Sequence, residues 1–381
     1  MHVERLVLQN VRNLAPLDLT FVAPTILVTG DNAQGKTNLL EALHLCVTGR
    51  SFRSPAVAEL IGPNGPRARA QATFCQRGVR HEVRLEWGPV AASGQNRQRL
   101  WLDDRLVRQT ADLLALLNVV AFFPEDLRIA KAGPEARRRF FDRAVAGGRP
   151  AFVQASLAYQ RALKGRNAAL RAQPFHASLV AAYDDALARH GATIHVTRRE
   201  GLRELGPLAS GTFSQLMPAH RLGLALHSGF AAHPGEPTLA DEASVEQVAS
   251  HLRGIWSRTL AWDRRRGLTL RGPHRADLAC TIDGRDARAY ASQGQQRCLV
   301  LALKLAELAA LTGRLGHAPI LLLDDVSSEL DAERLRRLFA WVEHAGAQVL
   351  ISSTGGVSLP TTRTCQRLRL EAGRVRPLEA I

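Results

Sequence analysis

The chain has 381 residues, 46% hydrophobic and 22% charged, and its 50 Lys and Arg outnumber its 35 Asp and Glu to give a net charge of +15. The length suffices for two or three domains. A charge this positive favours a polyanionic partner, and nucleic acid is a better candidate than an anionic membrane. The alternative is a basic surface that is merely solvated. The N-terminus lacks the pattern of a signal peptide, and no run approaches the roughly 18 apolar residues of a membrane span. The five cysteines are scattered and include no CxxC pair, which argues against a disulfide framework and a zinc site. We therefore expect a soluble, cytoplasmic protein that does not bind a membrane.

The N-terminal third has the pattern of a β-rich domain with one helix. Residues 2–30 predict three short strands, and a helix with a broad apolar face follows from about Thr37 to Val47. Residues 67–104 predict a meander of strands with glycine-containing turns. A last short apolar run, residues 119–123, ends at Pro124.

The middle of the chain changes character and predicts helices. Apolar residues at helical spacing between Phe152 and Leu170 predict a long amphipathic helix, and residues 174–206 predict a second one that doubles back. A short strand near residues 221–226 and a helix from Ser244 to about Arg265 complete this part. We expect these helices to be too short and too irregular in heptad pattern for an extended coiled coil.

After Gly267 the mixture of strands and helices returns. The predicted elements are, in order, strand pieces over residues 269–282, a helix over 295–312, a buried strand over 319–325, a helix over 332–344 and a strand over 348–353.

The stretch GDNAQGKT, residues 30–37, fits the phosphate-binding pattern GxxxxGK[ST] and lies between a predicted strand and a predicted helix. Backbone N–H groups of such a loop and the positive end of the helix dipole surround a phosphate. We expect Lys36 to reach the β and γ phosphates of ATP as a catalytic residue, and the Thr37 hydroxyl to bind Mg²⁺. The residues predicted to contact the nucleotide here are Gly30, Asp31, Asn32, Ala33, Gln34, Gly35, Lys36, Thr37 and Asn38.

The run PILLLDD, residues 319–325, supplies the carboxylate that a phosphate loop needs for magnesium. Four apolar residues predict a strand that is buried on both faces, so that Asp324 lies at its carboxyl end. We assign Asp324 to the metal and Asp325 to orienting or activating the attacking water. For Asp325, capping the helix that follows is the alternative.

These two motifs are nearly 300 residues apart in sequence, which implies a split ATPase core with an insertion. The predicted fold class is α/β, a split ABC-type P-loop ATPase head with an inserted, mainly helical arm domain. The predicted domains are residues 1–123 for the N-terminal part of the head, 124–267 for the arm and 268–381 for the C-terminal part of the head.

A second phosphate-binding arrangement stands at SQGQQ, residues 292–296, where a serine and a glycine open a helix. Two such sites for one nucleotide are redundant within one subunit. We therefore expect Ser292, Gly294 and Gln295 to contact the ATP held by a second copy of the chain in an ABC-type dimer. A simple serine cap of the helix is the alternative.

The ordered motifs resemble the RecF family, bacterial repair proteins related to the heads of SMC-type ATPases. The resemblance covers essentially the whole chain and is carried by VRNL at 11–14, GDNAQGKTNLLEA at 30–42, GRSFR at 49–53, FFPEDL at 122–127, the run RRRFFD at 137–142, GPHRADL at 272–278, SQGQQR at 292–297 and LLLDDVSSELD at 321–331. It implies a clamp that dimerises on ATP, binds duplex DNA and duplex/single-strand junctions, and helps RecR and RecO to load the recombinase RecA. It also implies that Arg12 and Asn13 contact the nucleotide and that Asp331 lies at the dimer interface.

Three departures from related ATPases bear on the chemistry. Many have Glu where this chain has Asp325, so we expect slow turnover, and the resemblance implies a weak ATPase that DNA stimulates. Many also have a switch histidine after the next strand, where QVLISSTGG offers only Ser353 and Thr354. No glutamine stands at the end of the strand before Pro124, where many relatives have one.

The predicted DNA-binding surface is the basic segment of residues 128–171, in which eleven Arg and Lys face only Glu135 and Asp142. Contacts to phosphates through such a surface are blind to sequence and sensitive to salt. The alternatives are a solvated face and ion pairs with acids of the head. Aromatic residues make up only 5% of the chain, which favours duplex DNA over stacked single strands. The residues assigned to DNA are Arg137, Arg138, Arg139, Arg143, Lys164 and Arg166.

Other functions fit less well. A transport ATPase leaves the basic insertion unexplained, and an ATP-dependent nuclease needs a further acidic domain for which too few residues follow Asp331. Another SMC-like ATPase, or an ATP-gated DNA-binding scaffold with little hydrolysis, remains the alternative. His274 and Arg275 either contact phosphate or join the arm to the head, and His274 has no second metal ligand near it in sequence.

Overall fold

The computed structural model describes residues 1–53, 56–89, 95–108, 112–113, 116–230, 239–326, 330–355 and 360–378. These residues form two compact units. The first unit comprises residues 1–127, 211–220 and 292–381, and the second comprises residues 128–210 and 221–291.

The strands are β1 (His2–Gln9), β2 (Leu17–Thr20), β3 (Thr25–Thr29), β4 (Ala68–Gln76), β5 (Val79–Pro89), β6 (Asn96–Leu102), β7 (Arg105–Leu106), β8 (Val119–Phe122), β9 (Leu222–His227), β10 (Asp277–Ile282), β11 (Arg285–Asp286), β12 (Ile320–Leu323), β13 (Val349–Ser353), β14 (Cys365–Glu371) and β15 (Arg374–Leu378). The helices are α1 (Lys36–Thr48), α2 (Arg128–Lys131), α3 (Pro134–Ala146), α4 (Pro150–Arg171), α5 (Ala177–Leu216), α6 (Val245–Arg266), α7 (Ala287–Tyr290), α8 (Gln293–Leu315) and α9 (Ala332–Ala345). Single 3₁₀ turns occur at Val57–Leu60, Pro124–Leu127 and Pro273–Arg275.

One six-stranded sheet of the first unit brings the two nucleotide motifs together. Its order is β15-β14-β3-β13-β12-β8, and every neighbouring pair except β14–β15 is parallel. Strands β12 and β13 are buried at every position, which is why they read as continuous apolar runs rather than alternating ones. Because β3, β13 and β12 run in register, their carboxyl ends lie at one edge of the sheet.

The other sheet of the first unit is antiparallel, in the order β2-β1-β4-β5-β6-β7. Alternate residues of its strands enter the core, so that Ala70, Ala72, Val83 and Leu85 are all less than 2% exposed. Helix α1 shares this core with both sheets and buries ten of its 13 residues, which explains why it is apolar on nearly all sides.

The second unit combines helices with a three-stranded sheet of order β11-β10-β9. Strand β9 pairs with β10 over six residues, from Leu222 opposite Ile282 to His227 opposite Asp277. Trp256 of α6 is fully buried, and its Nε1 donates a hydrogen bond to the Arg271 carbonyl at 2.9 Å.

The boundaries of the compact units differ from the predicted domain boundaries. Residues 268–291 belong to the second unit, because β10 pairs with β9, whereas residues 211–220 belong to the first. Helix α5 is also longer than predicted: it runs for 40 residues through Pro207, where the sequence signal for a helix ends. Of the helices in the described ranges, none is both long enough and apolar enough to cross a membrane.

Candidate functional site

The loop of residues 30–35 needs both of its motif glycines. Gly30 has φ 152°, and a Cβ atom there would lie 2.3 Å from the Leu370 carbonyl oxygen. Gly35 has φ 107°, and a Cβ atom there would lie 2.9 Å from Asn13 Oδ1. Side chains are therefore excluded at both positions by backbone angle and by space. The α1 helix begins directly after this loop, so its N-terminal N–H groups face the same point.

Lys36 lies inside the loop. Its Nζ donates hydrogen bonds to the carbonyl oxygens of Gly30 and Asp31, each at 2.7 Å, and the residue is only 7% exposed. Burial lowers the pKa of Lys36, whereas the nearby carboxylates of Asp325 and Asp324 raise it. These carbonyls and carboxylates hold a positive charge at the centre of the loop.

Thr37 and Asp324 meet across the sheet edge. Thr37 Oγ1 donates to Asp324 Oδ1 at 3.1 Å, and Ser352 Oγ donates to the same oxygen at 2.5 Å. Asp324 is 2% exposed, so burial raises its pKa, while the hydrogen bonds from Ser352 and Thr37 lower it. A hydroxyl and a carboxylate so close together are the oxygen ligands that Mg²⁺ prefers, so the residues present fit the predicted metal.

Asp325 has an unusual backbone conformation for a residue with a side chain. Its φ is 51°, in the left-handed region, and its N–H donates to Ser352 Oγ at 3.0 Å. Non-glycine residues in this region carry strain that surrounding contacts must offset, and such residues are common at active sites. One serine thus positions both members of the Asp pair.

A cleft of about 790 Å³ contains most of the predicted nucleotide site. The predicted residues that line it are Arg12, Asn13, Asn32, Ala33, Gly35, Lys36, Thr37, Asn38, Asp324 and Asp325. Gln34 has a different position, because its Oε1 accepts a hydrogen bond from the Ala372 N–H at the β14–β15 turn. The cleft is also lined by residues that the sequence did not assign to the nucleotide: Arg53, Glu59, Ile61, Gly62, Pro63, Ser352 and Thr354. The signal for Ser352 was a hydroxyl near the end of a fully buried strand.

Arg12 and Asn13 contact the loop and α1 through their side chains. The Arg12 guanidinium binds the buried Glu41 carboxylate through Nε and Nη2, at 3.0 and 2.9 Å. Asn13 accepts a hydrogen bond from Asn38 at 2.7 Å and donates one to the Ala33 carbonyl at 3.0 Å. Both residues therefore brace the loop and α1.

The SQGQQ motif opens α8, as predicted. Ser292 and Gln295 form a reciprocal capping box, with the Gln295 N–H donating to Ser292 Oγ at 3.2 Å and the Ser292 N–H donating to Gln295 Oε1 at 2.9 Å. Arg334 lies beside Gly294 and pairs with Asp331 at 3.0 Å, and Asp331 caps α9. None of Ser292, Gly294, Gln295 and Asp331 is among the described residues that line the cleft. Ser327, Ser328 and Glu329 of the neighbouring DDVSSELD motif lie outside the described residues.

Two of the six residues assigned to DNA are structural, and the assignment is corrected for them. Arg166 is fully buried, and its guanidinium binds Asp184 at 2.5 Å and Asp263 at 2.6 Å. Arg137 is 8% exposed and binds Asp277 through Nε and Nη2 at 2.8 and 2.7 Å. The acids that neutralise them come from distant parts of the same unit, which a local count of charges cannot reveal.

The remaining four residues assigned to DNA differ in how exposed they are. Arg138 is half-buried and donates to the Ala276 carbonyl at 2.8 Å, and burial lowers its pKa. Arg139, Arg143 and Lys164 are exposed, and Arg139 forms an exposed pair with Glu135 one helical turn away. These three side chains remain predicted DNA contacts.

His274 is part of the packing of the second unit. The Tyr159 hydroxyl lies 2.8 Å from Nδ1, and Nε2 lies 2.9 Å from the Thr269 carbonyl. A carbonyl only accepts hydrogen bonds, so Nε2 carries the proton and Nδ1 accepts from Tyr159. Burial lowers the pKa of His274 to about 4. Arg275 next to it is exposed.

Comparison with known proteins gives a consistent result. The family described as RecF/RecN/SMC N terminal domain matches residues 2–375. The DNA replication and repair protein RecF of Myxococcus xanthus (strain DK1622) is 42% identical over 347 residues, which are 91% of this chain and 88% of that protein. The protein of the same description from Symbiobacterium thermophilum is 38% identical over 356 residues, 93% of this chain and 92% of that protein.

Two solved structures have the same fold as this chain. The structure of the recombination mediator protein RecF with ATP, in the RecFOR pathway, superimposes with a TM-score of 0.86 at 28% identity and covers 99% of this chain and 98% of that one. An Smc head bound to the C-winged helix domain of ScpA shares the fold, with a TM-score of 0.55 at 14% identity. The predicted ABC-type α/β fold is thereby confirmed, and the chain belongs to the RecF family of DNA replication and repair proteins.

Proposed function

We propose that the protein is an ATP-dependent DNA clamp of recombinational repair and replication-gap processing. It binds ATP with Mg²⁺, dimerises around duplex DNA, acts at duplex/single-strand junctions, and hydrolyses ATP weakly, with stimulation by DNA, to reset the clamp. RecR and RecO are its partners in loading RecA by family resemblance.

One observation carries this proposal. Lys36 lies within the phosphate loop, and Thr37 Oγ1 lies 3.1 Å from Asp324 Oδ1, so groups that bind phosphate and groups that bind a divalent cation share one cleft. Bound Mg²⁺ would neutralise charge on the β and γ phosphates. The ATP in the related RecF structure supports the same nucleotide here.

Asp325 is the residue best placed for hydrolysis. Its backbone is fixed by Ser352, and its carboxylate lines the cleft beside Lys36. A carboxylate so placed can orient a water and accept its proton. The shorter reach of Asp, compared with the Glu of many relatives, supports slow turnover.

The position of the SQGQQ motif supports dimerisation. Ser292 is exposed, and its residues lie outside the cleft that holds their own chain's loop. Their capping hydrogen bonds are local, so these groups can exchange them for a partner's phosphate at small cost. The alternative, an ATP-gated scaffold with little hydrolysis, shares this geometry and differs only in turnover.

The experiment is light scattering without nucleotide, with ADP and with ATP plus Mg²⁺. We expect the mass to double from the 41.6 kDa of one chain only with ATP. Ser292→Arg is the matched variant: it leaves the loop intact, so it should bind ATP and stay monomeric. A mass that never changes in the unaltered protein would refute the dimer.

A further inference from the structure

Trp262 on α6 is 65% exposed, whereas Trp256 on the same helix is fully buried. Tryptophan is highly buried on average, but a single exposed hydrophobic side chain is common on protein surfaces, so the neighbours of Trp262 decide what its exposure means. The packing of the second unit accounts for Trp256 but leaves Trp262 in solvent.

The residues around Trp262 are arginines. Arg258, Trp262, Arg265 and Arg266 follow the spacing i, i+4, i+7 and i+8, so they lie along one face of α6, and all four are exposed. We name this face the Trp262 stripe. Four residues, about 6 Å along the helix axis, separate Arg258 from Trp262 and Trp262 from Arg266.

The arginines of the stripe differ from Arg253 in their ion pairs. Among the described residues, none of Arg258, Arg265 and Arg266 forms a salt bridge, whereas Arg253 on another face of the same helix pairs with Asp185 at 2.9 Å. Asp263, the acid within the stretch, is fully buried and bound to Arg166. Arginines in the last turn stabilise the helix C-terminus, but that effect explains neither Arg258 nor an exposed indole.

We infer that the Trp262 stripe binds single-stranded nucleic acid, with one unpaired base stacked on the Trp262 indole and neighbouring phosphates paired with the arginines. Aromatic faces interleaved with cations are the recognition elements of single strands, and stacking tolerates any base. A duplex would satisfy the arginines but would leave the indole unused, because its bases are stacked on one another. Trp and Arg are also enriched at protein–protein interfaces, so a protein partner is the outcome that the test below distinguishes from single-strand binding.

This inference rests on the proposed DNA function and extends it to the single-stranded arm of a junction. It also departs from the expectation that the low aromatic content favours duplex DNA over stacked single strands. Every residue of the stripe belongs to the second unit, and none belongs to the phosphate loop. We therefore expect single-strand binding to occur without ATP.

The test compares binding of a labelled oligothymidylate of about 20 nucleotides with binding of a duplex of the same length, by fluorescence anisotropy. Trp262→Ala should weaken oligothymidylate binding about tenfold, because stacking contributes 1–3 kcal/mol per base. Trp262→Phe should retain most of the affinity. Arg253→Ala is the matched control: it removes one charge from another face of α6 and should change nothing.

Two further readouts separate stacking from a general charge effect. Oligothymidylate should quench part of the tryptophan fluorescence, and Trp262→Phe should abolish that part. Replacing Arg258, Arg265 and Arg266 by Ala should reduce the salt slope of single-strand binding by about 2, the value for three lost phosphate contacts. Thermal unfolding should match the unaltered protein, since all four side chains are exposed.

The inference is overturned if Trp262→Ala binds oligothymidylate as the unaltered protein does, or if it loses duplex and single-strand binding equally. The first result would point to a protein partner instead. Failure of the proposed function has a different signature, because it would appear as the absence of ATP-dependent dimerisation and duplex binding in the unaltered protein.

Discussion

Thr37 Oγ1 donates a hydrogen bond to Asp324 Oδ1 at 3.1 Å, although 287 positions separate the two residues in the chain. The parallel pairing of β3, β13 and β12 produces this contact, because it places the ends of the first and third strands at one edge. Everything between them, including the second unit, is inserted without disturbing that register. The predicted nucleotide site therefore depends on the sheet edge, which brings its separate local motifs together.

Lys36→Arg should preserve the fold but weaken ATP binding about 10- to 100-fold. The Nζ atom fits between the carbonyls of Gly30 and Asp31, and a planar guanidinium is too large for that position. Hydrogen bonds to a charged group contribute about 1.5–3 kcal/mol, which sets this range. Titration with a fluorescent ATP analogue measures it, and circular dichroism checks the fold. Unchanged ATP-dependent retention on DNA would contradict the clamp.

Asp325→Asn should slow hydrolysis about 100-fold and leave ATP-dependent dimerisation intact, because the amide keeps the shape but cannot accept a proton. Phosphate release and light scattering measure the two effects separately. Asp324→Asn is the contrast: it should lose the magnesium dependence of ATP binding. If both variants have the same phenotype, the assignment of separate roles to the two acids fails.

The sequence correctly predicted that the loop and the Asp pair lie close together, because each motif is contiguous and lies at the end of a strand. The loop, Lys36, Thr37 and Asp324 are local patterns with a fixed physical purpose. Ser352 was missed because its role depends on which strand pairs beside β12, and no segment carries that information alone. The long α5 was partly missed because Pro207 signals an end that tertiary packing overrides.

The prediction for the basic segment failed in part for a related reason. A count over residues 128–171 finds few acids, but Asp184, Asp263 and Asp277 approach from other elements. Net charge along a stretch of chain therefore overestimates the charge available at the surface. Pairing in three dimensions decides which arginines remain for a polyanion.

Arg166→Met should lower the free energy of unfolding by about 3–5 kcal/mol, because it leaves the fully buried Asp263 without its partner. Urea denaturation followed by circular dichroism measures the change. Arg139→Met, which breaks only an exposed pair with Glu135, should alter stability by less than about 1 kcal/mol. Equal effects would mean that Arg166 is not a structural residue.

Replacing Arg139, Arg143 and Lys164 by Glu should weaken duplex binding and reduce its salt slope by about 2 to 3, since each lost phosphate contact changes the slope by about 0.9. The matched control reverses Arg5, Arg80 and Arg369, which are exposed side chains of the first unit paired with acids. This control variant changes the net charge by the same amount as the Arg139, Arg143 and Lys164 variant. If both triple variants have the same slope, the α3 and α4 side chains do not contact DNA.

The second unit should lose stability as the pH falls from about 6.5 towards 4. The pKa of His274 is lowered to about 4 by burial, and that of His195 is also lowered to about 4, so the unfolded chain binds more protons than the folded one between these values. Each histidine adds up to about 1.4 kcal/mol of stability per pH unit in that window. His274→Gln should therefore lower the free energy of unfolding at pH 7, because it removes the contacts with Tyr159 and Thr269. It should also reduce the slope of stability against pH in this window. Urea titrations at a series of pH values measure both effects. His176→Gln, at an exposed position, should change neither, and a slope unaltered in His274→Gln would show that this imidazole does not titrate on unfolding.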